Sequence, residues 1–248
     1  MDAILAVSTV STASTAGILS FGFLLGLKHA TEADHMAAVS TIVSERRSLF
    51  SSAIVGGVWG LGHTISLLVA GVFVLLLNYE ISEKTERMLE FFVGVMLILL
   101  GLNVLRKLLS GGHLHFHQHG HGGHEHVHPH VHQFDEVADP ATHHGLRFTP
   151  RALLVGMVHG MAGSAALMLL VIPTIDTAAL GLLYIAVFGV GSIGGMMLMS
   201  FLVGLPFHFT ALKFHRFNHL LQAAAGVVSV VLGLWIVYEK GFSEGPFI

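Results

Sequence analysis

Residues 18–43 read ILSFGFLLGLKHATEADHMAAVSTIV, an apolar run interrupted near its middle. Within eight positions the interruption holds Lys28, His29, Glu32, Asp34 and His35. An ionisable side chain in a bilayer costs roughly 2.5–3.5 kcal/mol on insertion scales, so this block needs an aqueous or a coordinated destination. A cation pathway meets that need; a structural salt-bridge cluster of Lys28, Glu32 and Asp34 is the alternative. On a regular helix Asp34 points about 140° away from His29. One straight helix therefore cannot offer both imidazoles and Asp34 to one ion. Either the span is broken near Ala30 to Asp34, as transporter sites often are, or Asp34 sits behind an imidazole and orients it.

The rest of the chain has the composition of a membrane protein. Of its 248 residues 53% are hydrophobic and 11% are charged, against about 25% charged in a soluble domain. Apolar stretches long enough to cross a ~30 Å hydrocarbon core recur, and they predict six spans over about 14–43, 52–78, 89–109, 152–173, 178–205 and 219–238. The Met1-Asp2-Ala3-Ile4 start lacks the basic n-region of a signal peptide, so the first apolar segment is expected to stay in the mature protein. A net charge of −3 without basic runs argues against a nucleic-acid partner. With no cysteine, metal chemistry is limited to nitrogen, oxygen and thioether ligands.

Placing the N-terminus outside puts Arg46, Arg47, Arg106, Lys107, Arg147, Arg151, Lys213 and Arg216 in inner loops, and only Lys84, Arg87 and Lys240 outside. The positive-inside rule then predicts both termini outside and residues 110–146 in the cytoplasm, in the inner (plasma) membrane of a bacterium or archaeon.

The apolar segments on either side of residues 110–146 resemble each other at an offset of about 130 positions. Gly26-Leu27-Lys28-His29-Ala30 aligns with Gly156-Met157-Val158-His159-Gly160, and Trp59-Gly60-Leu61-Gly62 with Phe188-Gly189-Val190-Gly191. Gly94-Val95 and Leu100-Gly101-Leu102 align with Gly226-Val227 and Leu232-Gly233-Leu234. Three spans per copy require the second to enter the membrane inverted. The expected fold is thus an all-α membrane protein of six transmembrane helices in a 3+3 inverted repeat: residues 1–109, a His-rich disordered cytoplasmic loop over 110–146, and residues 147–248.

His63, in Gly60-Leu61-Gly62-His63-Thr64, lies mid-span and is expected to add a ligand to the nitrogen and carboxylate donors of the first span, because imidazole suits nickel, cobalt, copper and zinc. Glu32, Thr64 and His159 form a second tier along the pathway; His159 takes the repeat position of His29 but has no acidic neighbour. Met196, Met197 and Met199 would suit copper(I), although thioethers more often fill cores. The linker carries His113, His115, His117, His119, His121, His124, His126, His128, His130 and His132, a composition that reads as a disordered auxiliary metal-binding tract.

The first span resembles the His-x4-Asp-His signature of the nickel/cobalt permease family, and Leu61-Gly62-His63-Thr64 resembles that family's next-helix motif. His159-Gly160-Met161-Ala162-Gly163-Ser164 is similar to a stretch of its shorter, six-helix urease-accessory branch. The resemblance implies nickel or cobalt as cargo and His29, Asp34, His35 and His63 as ligands. The longer permeases have eight spans and acidic motifs in the second half; the region from Gly189 to Met199 here has none.

The chain thus reads as a secondary transporter rather than an enzyme, with no prosthetic group, a divalent metal ion as substrate and nickel-enzyme assembly proteins as candidate partners. The alternatives are an exporter on the same fold, and a membrane metallochaperone serving urease assembly.

Overall fold

The structure is a computed structural model, and it describes residues 2–44, 46, 48–76, 82–110, 114–121, 124–131, 150–162 and 177–243. The opening stretch forms two helices, α1 (Asp2–His29) and α2 (Ala33–Val43), separated by a tight turn. Thr31 N–H donates to the Lys28 carbonyl at 2.9 Å and Glu32 N–H to that of His29 at 3.1 Å, closing α1 with three-residue loops. Glu32 is extended (φ −65°, ψ 151°), and α2 starts at the next residue. The break falls inside the ionisable block. It sets the negative end of the α1 dipole, beside Lys28 and His29, against the positive end of α2, where Asp34 stands in the first turn.

The remaining helices are α3 (Leu49–Leu76), α4 (Glu83–Leu109), α5 (Pro150–Ala162), α6 (Ala178–Lys213) and α7 (His215–Tyr238), the last continuing into a π-helical turn, Glu239–Ser243. Local sequence sets several of their ends. The Ser82 hydroxyl accepts from Thr85 N–H to cap α4, and Thr177 does the same for Leu180 N–H at α6. Proline at the first position of α5 gives up an N–H that a helix leaves unpaired anyway. α6 runs past the expected end at 205 despite Pro206. The fourth expected span reaches Ala162, and its remainder, 163–173, lies outside the described residues.

Four helices among the described residues, α3, α4, α6 and α7, are long and apolar enough to cross a membrane. Phe21, Leu24, Leu99, Leu154, Val190 and Trp235 all face outward and are exposed, as a lipid solvent permits. The chain is therefore a helical integral membrane protein.

The linker departs from expectation. Instead of a disordered tract, β1 (Leu114–His121) and β2 (His124–Val131) pair as an antiparallel hairpin. Its register sets His115 opposite His130, His117 opposite His128, His119 opposite His126 and His121 opposite His124. The physical reason lies in the spacing: histidine at every second position has the period of a strand. His113, His132 and the rest of 110–146 fall outside the described residues, apart from Ser110 at the end of α4.

The bundle is held by close backbone approach. α3 packs on α5 and α6, α1 on α6, and α4 on α7. Gly26 of α1 lies against the Phe188 carbonyl of α6, and Gly191 of α6 against the Phe23 carbonyl of α1. In the α3–α5 pair Gly156 lies against the Trp59 carbonyl and Gly62 against that of Leu153. Small residues allow such contact where lipid supplies no hydrophobic drive. A Cβ at residue 156 would collide with Trp59, so Gly156→Ala should lower unfolding stability in detergent by about 1–3 kcal/mol. Gly17→Ala, where a Cβ meets nothing within 4 Å, should not lower it.

Candidate metal centre

The break delivers two imidazoles to one place: His29 is the last residue of α1 and His35 the third of α2. Their ring centroids are 4.3 Å apart. His63 stands near the middle of α3 and lies 5.1 Å from His29 and 5.4 Å from His35. His159, on α5, closes the group at 4.0 Å from His35. All four rings are buried, none more than 1% exposed. The sequence reading placed His159 in a second tier; the structure brings it as close to His35 as any other ring.

Asp34 ties the group together. Its Oδ1 accepts from His35 N–H at 2.8 Å and lies 3.0 Å from His35 Nδ1, while its Oδ2 lies 2.9 Å from His159 Nε2. A carboxylate can only accept, so the facing nitrogens carry the protons. The other two, His35 Nε2 and His159 Nδ1, are then left as lone pairs. Both are buried and without a hydrogen-bond partner among the described residues, as are both nitrogens of His63. This is the arrangement in which a carboxylate fixes the tautomer and orientation of metal-binding imidazoles. Of the two options for Asp34, a broken helix and an orienting role, the structure contains both.

Glu32 sits at the rim, with Oε1 3.0 Å from His29 Nδ1 and its side chain 42% exposed, against 21% for Asp34. That contact lacks hydrogen-bond alignment, leaving both His29 nitrogens unpaired. The ion pairs of Glu32 and Asp34 run to histidines and Lys28 is exposed, so the salt-bridge alternative has no support in the geometry. Thr64 is buried nearby, but its hydroxyl is engaged by the Gly60 and Gly189 carbonyls.

One neighbour escaped the sequence reading. Trp59 is buried with its ring 5.4 Å from His35 and 5.6 Å from His159, and its indole N–H has no partner. Its position four residues before His63, hence on the same helical face, was the available signal.

One donor atom each from His29, His35 and His63 lie within 4.8 Å of one another, and so do atoms from Asp34, His35 and His159. The two sets share His35. A nitrogen-rich group of this kind suits borderline transition metals, whereas hard magnesium and calcium call for oxygen.

Fold and site together define a helical membrane protein with a buried cluster of four histidines. Residues 58–235 match the model of the family described as cytochrome c biogenesis protein transmembrane region. The urease accessory protein UreH of Bacillus sp. (strain TB-90) is 38% identical over 93% of this chain and 94% of its own length. The chain belongs to this family, in the urease-accessory branch that its helix motifs resemble. UreH is named as an accessory protein of urease. The Arabidopsis thaliana chloroplast proteins FOR GROWTH AND FERTILITY 2 and 1 are each 24% identical, over 89% and 96% of this chain. The chain spans 56% and 64% of their lengths. No solved structure matches. Having no cysteine, this chain cannot take part in thiol–disulfide exchange, whatever other members do.

An orienting carboxylate and a ligand behave differently on removal. Asp34→Ala should weaken nickel binding in detergent by about 10–100-fold, the range for loss of a supporting partner. The number of imidazoles around the bound ion, read by X-ray absorption, should stay unchanged.

Proposed function

We propose that the chain is a secondary transporter, a permease for divalent transition-metal cations, with nickel or cobalt as substrate and net movement inward. The observation that carries this reading is the group of four buried imidazoles at a helix break, each with at least one ring nitrogen that has no hydrogen-bond partner among the described residues, and with His63 fourteen residues from the start and thirteen from the end of α3. At 1.5 Å per residue this puts His63 about 20 Å from either end of that helix, the depth of a midplane site. Buried donors without partners are costly in lipid and call for an ion that completes them.

The inverted 3+3 repeat belongs to the same proposal. A shift of about 130 positions carries α3 onto α6 and α4 onto α7. It also carries the Gly26–Phe188 contact onto Gly156–Trp59 and the Gly191–Phe23 contact onto Gly62–Leu153. His29 ends α1, and His159 stands three residues before the end of α5. Such pairing is what a pseudo-twofold axis in the membrane plane produces. The repeat is decorated unequally, since His63 has Ser192 in its place on α6.

Direction follows from charge. With both termini outside and the His-rich segment in the cytoplasm, an inward potential of 100 mV stabilises transfer of a divalent ion by about 4.6 kcal/mol, twice the single-charge value. Uptake then needs neither ATP nor a coupled ion. A second reading, a membrane partner that hands nickel to urease assembly, is favoured by the name of the UreH relative. The histidines at 113–132 would suit delivery as well as transport.

Nickel uptake into proteoliposomes under an imposed potential separates these readings. Transport predicts potential-driven accumulation, whereas an assembly partner binds metal without carrying it. His29→Ala, Asp34→Ala, His35→Ala and His63→Ala should each lose most flux while still inserting; wild-type flux in all four would show that the ion passes elsewhere. Deleting residues 113–132 should leave a substantial fraction of the flux and lower metal retention in cells. Loss of flux from that well-folded deletion would instead make the tract a loading site and an exporter the better reading.

A further inference from the structure

Buried hydroxyls in these helices are, as a rule, satisfied by backbone carbonyls. Thr41 donates to Ala38, Ser44 to Thr41, Ser66 to Met157 and Ser229 to Leu97, at 2.7–2.8 Å. Ser192 and Ser200 of α6 break the rule: they are 0% and 1% exposed, and neither Oγ has a partner among the described residues. A serine in a helix can always turn its hydroxyl back onto the carbonyl four residues earlier. These two do not, and they lie on one face of α6 with Met196, 0% exposed, midway between them.

That face meets a cleared strip of α3. Gly60 lies against the Met196 sulfur, and Gly56 against the Ser200 hydroxyl and the Met196 carbonyl. Gly60 and Gly56 continue, at helical spacing, the face of α3 that begins with His63. The seam ends beside Gly204, where a Cβ would stand 3.1 Å from Ser52 Oγ and 3.2 Å from Val43, near the junction of α2 and α3. On the other side of the histidines the same helix pair is closed by an apolar cluster of Leu67, Ile185 and Phe188, and the Phe188 ring lies 5.6 Å from His29. The centre is thus plugged by hydrocarbon on one side and flanked by unpaired oxygen and a thioether on the other.

We propose that the α3–α6 seam is a second, transit site for the cation, in which Ser192 Oγ, Met196 Sδ and Ser200 Oγ replace part of its hydration after it leaves the imidazoles. The inference rests on the transporter reading and adds to it an exit towards the α2–α3 junction. Weak neutral donors suit that task, since conduction requires sites that hold an ion loosely enough to release it. The thioether favours borderline cations over magnesium or calcium.

The test is nickel uptake by the full chain in proteoliposomes, paired with nickel affinity and thermal stability in detergent. Removing both hydroxyls in Ser192→Ala/Ser200→Ala should slow uptake roughly ten-fold, as two oxygen ligands lost from the passing ion would raise its barrier. Affinity at the histidine centre should stay unchanged, and stability should not fall, because the hydroxyls have no protein partner to lose. Ser229→Ala, which deletes a hydroxyl bonded to a carbonyl away from the seam, should keep wild-type flux. Met196→Leu, close in volume but without sulfur, should slow nickel and leave any residual magnesium leak unaltered. Wild-type flux in the double serine variant would overturn the transit site, and a parallel fall in affinity would do the same by placing the serines in the primary site. If the wild type itself carries no nickel, the transporter reading fails and this one falls with it.

Discussion

The grip of one carboxylate on two imidazoles organises this molecule. Asp34 reaches His35 on its own helix and His159 on α5, while the break at Ala30–Glu32 lets His29 join the same group. In an unbroken helix its side chain would point well away from His29. The break also supplies the electrostatics, because Asp34 lies at the positive end of α2 and accepts the His35 backbone N–H there. A partly buried anion within a membrane bundle is costly unless its lone pairs are filled. Three N–H groups fill them here, and the two imidazoles that pay for this are thereby turned to present their other nitrogens inward.

Four rings can gather only if the helices carrying them come close. Gly160, next to His159, lies against the backbone of His63, and Gly195 of α6 lies against Ala30 in the turn. Both contacts sit beside the site rather than at the periphery, so the glycine content of the chain has a local meaning. Backbones approach closely where side chains must meet. Trp59 then packs beside both His35 and His159, and its own carbonyl takes the contact with Gly156. Site and packing share residues, so changes at Gly156 or Gly160 are expected to act on both.

Much of this was legible in the sequence because ionisable residues stand out against a membrane composition. His29, Asp34, His35 and His63 could be picked from local contrast alone, and the structure gathers them. The break in the first span was visible as a geometric contradiction, though not as a settled outcome. His159 was undervalued because its neighbours, Val158 and Gly160, are uncharged; its partner Asp34 lies 125 residues earlier, beyond the reach of any local pattern. Trp59 was passed over since an apolar ring in an apolar span carries no contrast. The histidine tract was read from its composition, which suggested disorder, whereas its two-residue period was the better guide to the paired strands.

On the transporter reading, a site that holds its ion through several imidazoles must weaken when it opens, since conduction requires an ion to be held loosely enough to leave. The Asp34–His159 contact gives it a means, since that contact joins α2 to α5, helices from the two halves of the sequence. On that reading, separating them would remove the carboxylate from one imidazole and withdraw that imidazole from the other three, so that the ion would keep fewer nitrogens, in a less fixed tautomeric arrangement, at a group whose carboxylates are already its most exposed part. Binding strength and closure would then rest on the same contact.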